Sequence, residues 1–274
     1  MTPNNLHFVF GMAPDFGGKP FSLVHYLSIK SAVDLNKPEQ AYFHYQYEPT
    51  GEWWEKVKPL LRLNKIEAPT QILGNQLYHV AHQADVVRLQ MLQLHGGIYM
   101  DLDTISVKPL TEFLKHPFAI GKELRAKWMA KNWRQRLKFK LGLIKIKDGE
   151  TGLCNAVIVS EKNSDFVNLW LDEYKNFRSK GRDKYWNEHS VKVPEKLSAQ
   201  NPALITTLSP YAFHYPLYDD KGMKMLFEEI HDFADAYLHH LWESKAWDPY
   251  LSKLTPELIR SKDTTYNLIA RKYL

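Results

Sequence analysis

The sequence contains a single cysteine, Cys154, among its 274 residues. One thiol excludes an intramolecular disulfide, so the fold has to be held together by its core and its hydrogen bonds. Cys154 lies in the apolar run 153–159, where a buried strand thiol is a better interpretation than a catalytic nucleophile. This cysteine usage fits a reducing compartment.

Long apolar segments, internal repeats and low-complexity tracts are also lacking. No stretch approaches the about 20 apolar residues of a transmembrane helix. The apolar segment 6–11 is too short for a signal peptide and lacks its cationic flank. We therefore expect a cytoplasmic protein, with peripheral membrane contact as the open alternative. A length of 274 residues and a hydrophobic content of 44% favour one large α/β domain over residues 1–274.

Positive charge is concentrated in one segment. Residues 122–147 contain ten Lys or Arg and one acidic residue, Glu123, so the local charge is +9 while the whole chain carries +5. Apolar residues that include Trp128 interrupt this segment, which is typical of a basic insertion or lid around 122–150. Two interpretations stay open: a solvated insertion, or a helix that contacts an anionic membrane or covers an acceptor groove. No recognised nucleic-acid motif accompanies it, so we expect no nucleic-acid partner.

The spacing of apolar residues predicts an α/β fold that opens with a βαβ unit. A helix that begins near Pro20 separates the first two predicted strands. Strands are predicted over 6–11, 41–47, 98–100, 118–121, 153–160, 212–215 and 236–241, with a further helix over 164–177. This order favours a mainly parallel sheet flanked by helices, with a nucleotide at the carboxyl ends of the strands.

Residues 82–107 carry the most informative pattern of the chain. Asp85 and Arg88 are three positions apart on a predicted helix and therefore share one face. The apolar stripe that docks this helix is predicted to consist of Ala84, Val87, Met91 and Leu94. Gly96 and Gly97 end the helix, because glycine adopts the left-handed conformation without steric cost. Considered separately, Asp85 and Arg88 are more typical of a solvated ion pair on a helix than of a binding site.

Two carboxylates follow the glycine pair. Asp101 and Asp103 project to one side at the end of the strand 98–100, because strand side chains alternate with a period of two. Carboxylates this close repel each other unless a cation lies between them. Mn²⁺ or Mg²⁺ suits such oxygen ligands and shares its other positions with phosphates, so a nucleotide diphosphate is the expected ligand. An ordinary polar turn is the alternative, which the preceding helix and glycine pair disfavour.

The combined spacing resembles the DXD-motif sugar glycosyltransferases of family 32, which have the GT-A fold and are related to the catalytic domain of the clostridial glucosylating toxins. The resemblance rests on Ala81 or Ala84 and on Asp85, Arg88, Gly96, Gly97, Tyr99, Asp101 and Asp103. It implies a retaining, metal-dependent enzyme of polysaccharide or glycoconjugate synthesis. Its donor would be a nucleotide sugar such as a UDP-sugar, and its acceptor a hydroxyl of a glycan, a lipid-linked glycan or a protein.

The same resemblance implies roles for individual residues. Asp85 and Arg88 would hold the hydroxyls of the donor sugar, and Asp101 would divide its contacts between the ribose and the metal. Tyr99 would contribute to donor binding beside Asp101. Asp103 would be a metal ligand.

Two strands outside the central motif also match the family. Phe10, followed by Gly11, ends the first predicted strand at the position of an aromatic residue that stacks on uracil, although a core role is equally typical of such a residue. Asn155 matches a polar side chain that faces the donor or the acceptor. A strand-start asparagine is otherwise often a turn residue.

Residues 236–244 resemble the C-terminal His-x-Trp element that closes over the diphosphate in retaining transferases of this type. Trp242 would contact the donor there. Strand alternation lets only one of His239 and His240 face the metal, and the register of the resemblance favours His240. Its neutral imidazole would complete the metal shell begun by Asp101 and Asp103. Without the resemblance, such a histidine pair is more often surface or core than a ligand.

Two alternatives to a glycosyltransferase follow from the same residues. The segment from Asp101 to Ile105 nearly matches the nucleophile loop of haloacid-dehalogenase-like phosphatases, with Asp219 and Asp220 as later acids. That loop normally opens its fold, however, whereas here about a hundred residues precede it. A carbohydrate-binding or membrane-associated module without turnover is the second alternative, which the intact set of acidic residues disfavours.

Overall fold

The structure is a computed structural model that describes residues 1–124, 134, 137 and 150–274. In these residues the strands are β1 Asn5–Val9, β2 Gln40–Tyr45, β3 Arg62–Lys65, β4 Gln71–Ile72, β5 Asn75–Gln76, β6 Gly97–Met100, β7 Thr104–Ser106, β8 Phe118–Leu124, β9 Glu150–Ser160, β10 Thr206–Leu208 and β11 Leu238–His240. The α-helices are Leu23–Asn36, Glu52–Val57, Val80–His95, Asp165–Asp172, Val193–Gln200, Pro210–Phe213, Asp220–Phe227, Glu243–Ala246, Pro256–Ser261 and Thr265–Ala270.

Seven strands form the central sheet, in the order β10, β8, β9, β6, β1, β2 and β3. The neighbours β1/β2, β1/β6, β2/β3 and β8/β10 are parallel, whereas β9 is antiparallel to both β6 and β8. The predicted α/β class with a mainly parallel sheet is therefore confirmed. The parallel strands β1 and β6 end side by side, which places their carboxyl ends at one edge of the sheet.

Helices cover both faces of this sheet, because successive strand residues point to opposite sides. Ile98 and Met100 of β6 contribute to the core beneath the Leu23–Asn36 helix, and Tyr99 contributes to the core beneath the Val80–His95 and Asp165–Asp172 helices. A third apolar cluster joins the C-terminal helices to the Leu23–Asn36 helix through residues that include Leu27 and Tyr266. Of the helices in the described ranges, none has the length and apolar character required to cross a membrane.

Gly96 and Gly97 form the predicted break between helix and strand. Gly96 has a φ of +66° and its N–H donates to the carbonyl of Leu92 at 2.8 Å, which caps the helix. Gly97 has a φ of +127°, and a Cβ there would lie 2.5 Å from the carbonyl oxygen of Asn5. Only glycine lets the chain turn this closely against β1 and enter β6.

A two-stranded ribbon brings the C-terminal part of the chain to the end of β6. Strand β11 pairs antiparallel with β7, and His240 lies opposite Thr104. The N–H of Leu241 donates to the carbonyl of Asp103 at 2.7 Å and extends this pairing. Residues 101–103 and 240–243 are therefore held beside each other by backbone hydrogen bonds.

Two predicted elements differ from the structure. Residues 212–215 are predicted as a strand, but 212 and 213 end the Pro210–Phe213 helix and 214 and 215 follow it. Ser209 caps that helix by accepting from the N–H of Tyr211 at 3.3 Å, and Pro210 occupies its first turn, which is a standard helix start. The predicted helix 164–177 is α-helical over Asp165–Asp172 and then continues as a 3₁₀ turn.

Candidate active site

The Val80–His95 helix carries Asp85 and Arg88 on its buried face. Asp85 is 7% exposed and Arg88 is 5% exposed, so the solvated-pair interpretation does not describe this structure. The predicted apolar stripe is wrong in one member, because Leu94 is 53% exposed. The helix is rotated so that its polar pair, together with Leu89 and Leu92, faces the sheet and the Asp165–Asp172 helix.

Arg88 is the centre of a buried polar network. Its Nη2 lies 3.1 Å from Oδ1 of Asp85, and its Nη1 lies 3.1 Å from Oδ1 of Asp101 and donates to the carbonyl of Asn155 at 2.7 Å. The guanidinium also lies over the ring of Tyr99, 4.3 Å from its centroid. Arg88 therefore fixes three polar groups that come from a helix and two strands.

Asn155 and Tyr99 complete this network. The amide of Asn155 donates to Oδ1 of Asp85 at 2.7 Å, and the hydroxyl of Tyr99 donates to Oδ1 of Asp101 at 2.6 Å. Burial raises the pKa of Tyr99 well above its usual range, so its hydroxyl stays a donor. The predicted side chains of Asp85, Arg88, Tyr99, Asp101 and Asn155 all lie in this one network.

Asp103 and His240 face each other across the β7–β11 ribbon. The distance from Nε2 of His240 to Oδ2 of Asp103 is 3.3 Å, and the same oxygen accepts from the N–H of Glu243 at 2.7 Å. Burial would raise the pKa of Asp103, but His240 and these hydrogen bonds lower it to about 2. Burial likewise opposes the charged form of His240, yet the neighbouring Asp103 raises its pKa overall.

Asp101, Asp103 and His240 form a possible ligand set for a cation. One ligand atom from each of the three side chains lies within 4.8 Å of the others. His239, the second histidine of the pair, instead places Nδ1 3.1 Å from the carbonyl of Tyr215. The backbone register thus directs His240 toward the carboxylates and His239 away from them.

A cavity of about 340 Å³ lies above these residues. It is lined by Val9, Phe10, His25, Asp101, Leu102, Asp103, His240, Trp242, Glu243 and Ser244. Trp242 packs on His240 with ring centroids 3.9 Å apart, and its indole N–H donates to the carbonyl of Pro216 at 2.9 Å. The cavity therefore joins apolar rings to the carboxylate pair.

Phe10 and Gly11 lie at the carboxyl end of β1. Phe10 is partly exposed and packs against Phe16 and Phe21, with ring centroids 5.5 and 5.6 Å apart. Gly11 has a φ of +65°, and a Cβ there would lie 2.1 Å from the carbonyl oxygen of Tyr47. Gly11 thus permits the close approach of the chain that holds Phe10 at the cavity wall.

His25 and Glu243 also line the cavity, although neither is among the site residues predicted from the sequence. Oε1 of Glu243 lies 3.2 Å from Nε2 of His25, and Oε2 accepts from Lys19 at 2.9 Å. Burial would raise the pKa of Glu243, but its bonds to His25 and Lys19 lower it overall. Glu243 is more than 200 positions from both His25 and Lys19 along the chain, so only the position of Glu243 next to Trp242 offered a local signal.

The basic segment 122–147 lies outside the described residues over most of its length. The structure therefore gives no position for its apolar stripe or for most of its lysines and arginines.

Comparison with solved structures shows the fold class. The apo form of mouse xyloside xylosyltransferase 1 aligns with a TM-score of 0.51 and 13% sequence identity, over 89% of this chain and 99% of that one. The mixed sheet, with its carboxylate loop at the end of β6, is that of the GT-A glycosyltransferases.

Sequence comparison then shows the family. The profile described as glycosyltransferase sugar-binding region containing DXD motif matches residues 28–120. Glucan organizing enzyme 1 of Cryptococcus neoformans var. grubii is 36% identical over 280 residues, which cover 100% of this chain and 71% of the relative. An uncharacterized glycosyltransferase of Acanthamoeba polyphaga mimivirus is 25% identical over 260 residues, covering 92% of this chain and 86% of the relative. The chain belongs to the DXD-motif glycosyltransferase family and is a glycosyltransferase, which selects the enzyme over the phosphatase alternative.

Proposed function

We propose that this glycosyltransferase transfers the sugar of a UDP-sugar to a hydroxyl acceptor, with retention of configuration and with Mn²⁺ or Mg²⁺ as cofactor. The acceptor is a glycan, a lipid-linked glycan or a protein, and the reaction belongs to polysaccharide or glycoconjugate synthesis. The name of the Cryptococcus relative makes glucan the first acceptor class to test and UDP-glucose the first donor.

The proximity of Asp101, Asp103 and His240 is the observation that carries this proposal. Two carboxylates and one imidazole are a donor set that suits Mn²⁺, and Nε2 of His240 lies 3.3 Å from Oδ2 of Asp103. A cation bound there would stabilise the charge that develops on the departing diphosphate. The residues present therefore fit the cofactor.

The cavity walls supply the contacts that we assign to the nucleotide. Phe10 presents an aromatic face at the end of β1, beside Gly11, and stacks on uracil. Trp242 closes the opposite wall against His240. Tyr99 acts indirectly, because it is 1% exposed and its hydroxyl holds Asp101.

Asp85 and Arg88 divide the work on the donor sugar. Asp85 accepts from Arg88 and Asn155 through Oδ1, so we assign its Oδ2 to a sugar hydroxyl. Arg88 is a positioning residue, since its guanidinium bonds to protein acceptors on several sides. Asn155 supports the same carboxylate. When the sugar is held in one orientation, its orientational entropy is lost on binding. That loss then does not add to the barrier of the transfer step.

Binding measurements with an Asp103→Asn variant test the metal site. We expect UDP-sugars to raise the thermal midpoint of the wild-type protein in Mn²⁺, because a ligand of the folded state stabilises it by mass action. Asp103→Asn should abolish this Mn²⁺-dependent shift and keep the circular dichroism of the wild type. Asp248→Asn, which changes an exposed carboxylate that does not line the cavity, is the matched control.

Product analysis tests the remainder of the proposal. The anomeric proton coupling of the first product formed should match that of the donor. Equal donor binding with and without Mn²⁺ by the wild type would contradict the metal assignment, and an inverted product would contradict retention.

A further inference from the structure

Behind the carboxylate pair, two buried histidines leave ring nitrogens unsatisfied. His214 is 0% exposed and His240 is 8% exposed. Among the described residues, neither ring nitrogen of His214 has a hydrogen-bond partner, nor does Nδ1 of His240. A buried polar atom without a partner destabilises a folded protein, so such atoms are rare. Three such atoms on two neighbouring rings indicate a missing ligand.

The single cysteine of the chain lies at the same place. One ligand atom each from Cys154, His214 and His240 lies within 4.8 Å of the others, and all three residues are buried. The His214 ring packs closely against Gly121, where a Cβ would lie 2.9 Å from its Nε2. Cys154 belongs to β9, His214 follows the Pro210–Phe213 helix and His240 ends β11, so three separate elements converge.

The chemistry of these three donors differs from that of the carboxylate site. A thiolate and two imidazoles are the ligands that Zn²⁺ prefers, whereas Mn²⁺ and Mg²⁺ prefer oxygen. Tetrahedral zinc with these ligands separates its donor atoms by roughly 3.3 to 3.6 Å, a spacing that falls inside the 4.8 Å within which the three donor atoms lie. We propose that Cys154, His214 and His240 form a second cation site, specific for Zn²⁺ or a similar thiophilic divalent cation.

Binding at this site displaces one proton. Burial raises the pKa of the Cys154 thiol well above its usual range, so the metal-free thiol is protonated. On coordination the sulfur loses this proton to solvent and becomes a thiolate, while both imidazoles bind in their neutral form. In the metal-free form this thiol forms a hydrogen bond with the carboxyl group of Glu123, whose own pKa is raised by burial.

His240 is common to both sites, and this has a consequence that rests on the proposed function. Zn²⁺ that holds the imidazole of His240 reorients or polarises a ligand of the Asp101 and Asp103 site. Zn²⁺ should therefore weaken Mn²⁺ binding by the protein, even where Zn²⁺ does not compete for the carboxylates themselves.

Cobalt absorption spectroscopy tests the second site directly. Co²⁺ replaces Zn²⁺ in tetrahedral sites, and a thiolate ligand gives an intense near-ultraviolet charge-transfer band. Because the chain has one cysteine, such a band can come only from Cys154. We expect the wild type to develop it with one equivalent of Co²⁺ and to lose it on addition of Zn²⁺.

Variants separate the two sites from each other. Cys154→Ser should remove the charge-transfer band, and His214→Gln should weaken Zn²⁺ binding by more than the 10- to 100-fold typical of outer-shell changes. Asp101→Asn should keep the band, because it alters only the oxygen site. His116→Gln, which changes a histidine bonded to Thr206, is the control for histidine loss.

The wild-type spectrum decides the question even where a variant does not fold. No thiolate band in the wild type with excess Co²⁺ overturns the proposal, as does a band that survives in Cys154→Ser. A band without any Mn²⁺-dependent UDP-sugar binding would leave the second site standing and reject the proposed function instead.

Discussion

Replacement of Arg88 by methionine should lower the free energy of unfolding by about 3 kcal/mol. Methionine keeps an unbranched, flexible stem but removes all of the donors, so Asp85, Asp101 and the carbonyl of Asn155 lose their shared partner. Removing one member of a buried ion pair typically costs about 3–5 kcal/mol. We expect the lower end, because Asn155 still donates to Asp85 and Tyr99 still donates to Asp101.

Urea titration and thermal scans measure this loss. With an unfolding entropy of about 2.1 cal/mol/K per residue over 274 residues, 3 kcal/mol corresponds to a midpoint lower by about 5 °C. Arg178→Met is the matched control, since Arg178 forms a two-pronged bond with Glu188 but its side chain is 56% exposed. An Arg88→Met protein as stable as Arg178→Met would refute the view that Arg88 organises the site.

Three further predictions address the fold, its pH dependence and the basic segment. Gly97→Ala should destabilise the protein more than Gly181→Ala. Both glycines have φ near +130°, but only at position 97 would the added Cβ lie 2.5 Å from a carbonyl oxygen. Equal losses of unfolding free energy in urea titration would contradict the steric argument. Burial lowers the pKa of His7 to about 4 and that of His44 to about 3, so the unfolded chain binds protons first and stability should fall by about 2 kcal/mol per histidine from pH 7 to pH 5. His44→Gln, which keeps a donor for His7, should reduce this loss, and an unchanged pH dependence of unfolding would argue against it. We propose that the basic segment contacts anionic membranes. Binding to anionic vesicles should then weaken with salt and disappear on charge reversal of Lys131, Arg134, Arg136 and Lys138, while hydrolysis of a soluble donor persists. Binding that does not depend on salt would contradict this proposal.

The central motif was predictable because its structure is local. A helix, two glycines with positive φ and a short strand follow one another in 25 residues, and each obeys a strong conformational preference. The burial of Asp85 and Arg88 was harder to predict, since the helix rotation depends on what packs on both sides. Hydrophobic spacing selected Leu94 for the core, whereas the structure exposes it.

Long-range contacts explain what the sequence could not predict. His25 and Glu243 meet through a ribbon that forms only when β11 pairs with β7. His214 was missed for a related reason: residues 212–215 were predicted as a strand, whereas Ser209 and Pro210 start a helix that ends beside this histidine. The proposed metal site at Cys154 depends on a long-range contact in the same way, because it requires β9 to lie next to the end of that helix.

The pairing of β7 with β11 makes the pocket depend on contacts between residues that lie far apart in the sequence. Asp103 accepts a backbone hydrogen bond from Glu243, 140 positions later in the sequence, and His25 contacts the same residue across 218 positions, so the pocket forms only when the C-terminal part of the chain docks. Ligand binding in the pocket and docking of the last quarter of the chain are therefore coupled, so that each stabilises the other. Amide hydrogens of β11 and of the Thr265–Ala270 helix should exchange more slowly when a donor is bound, although that helix does not line the cavity.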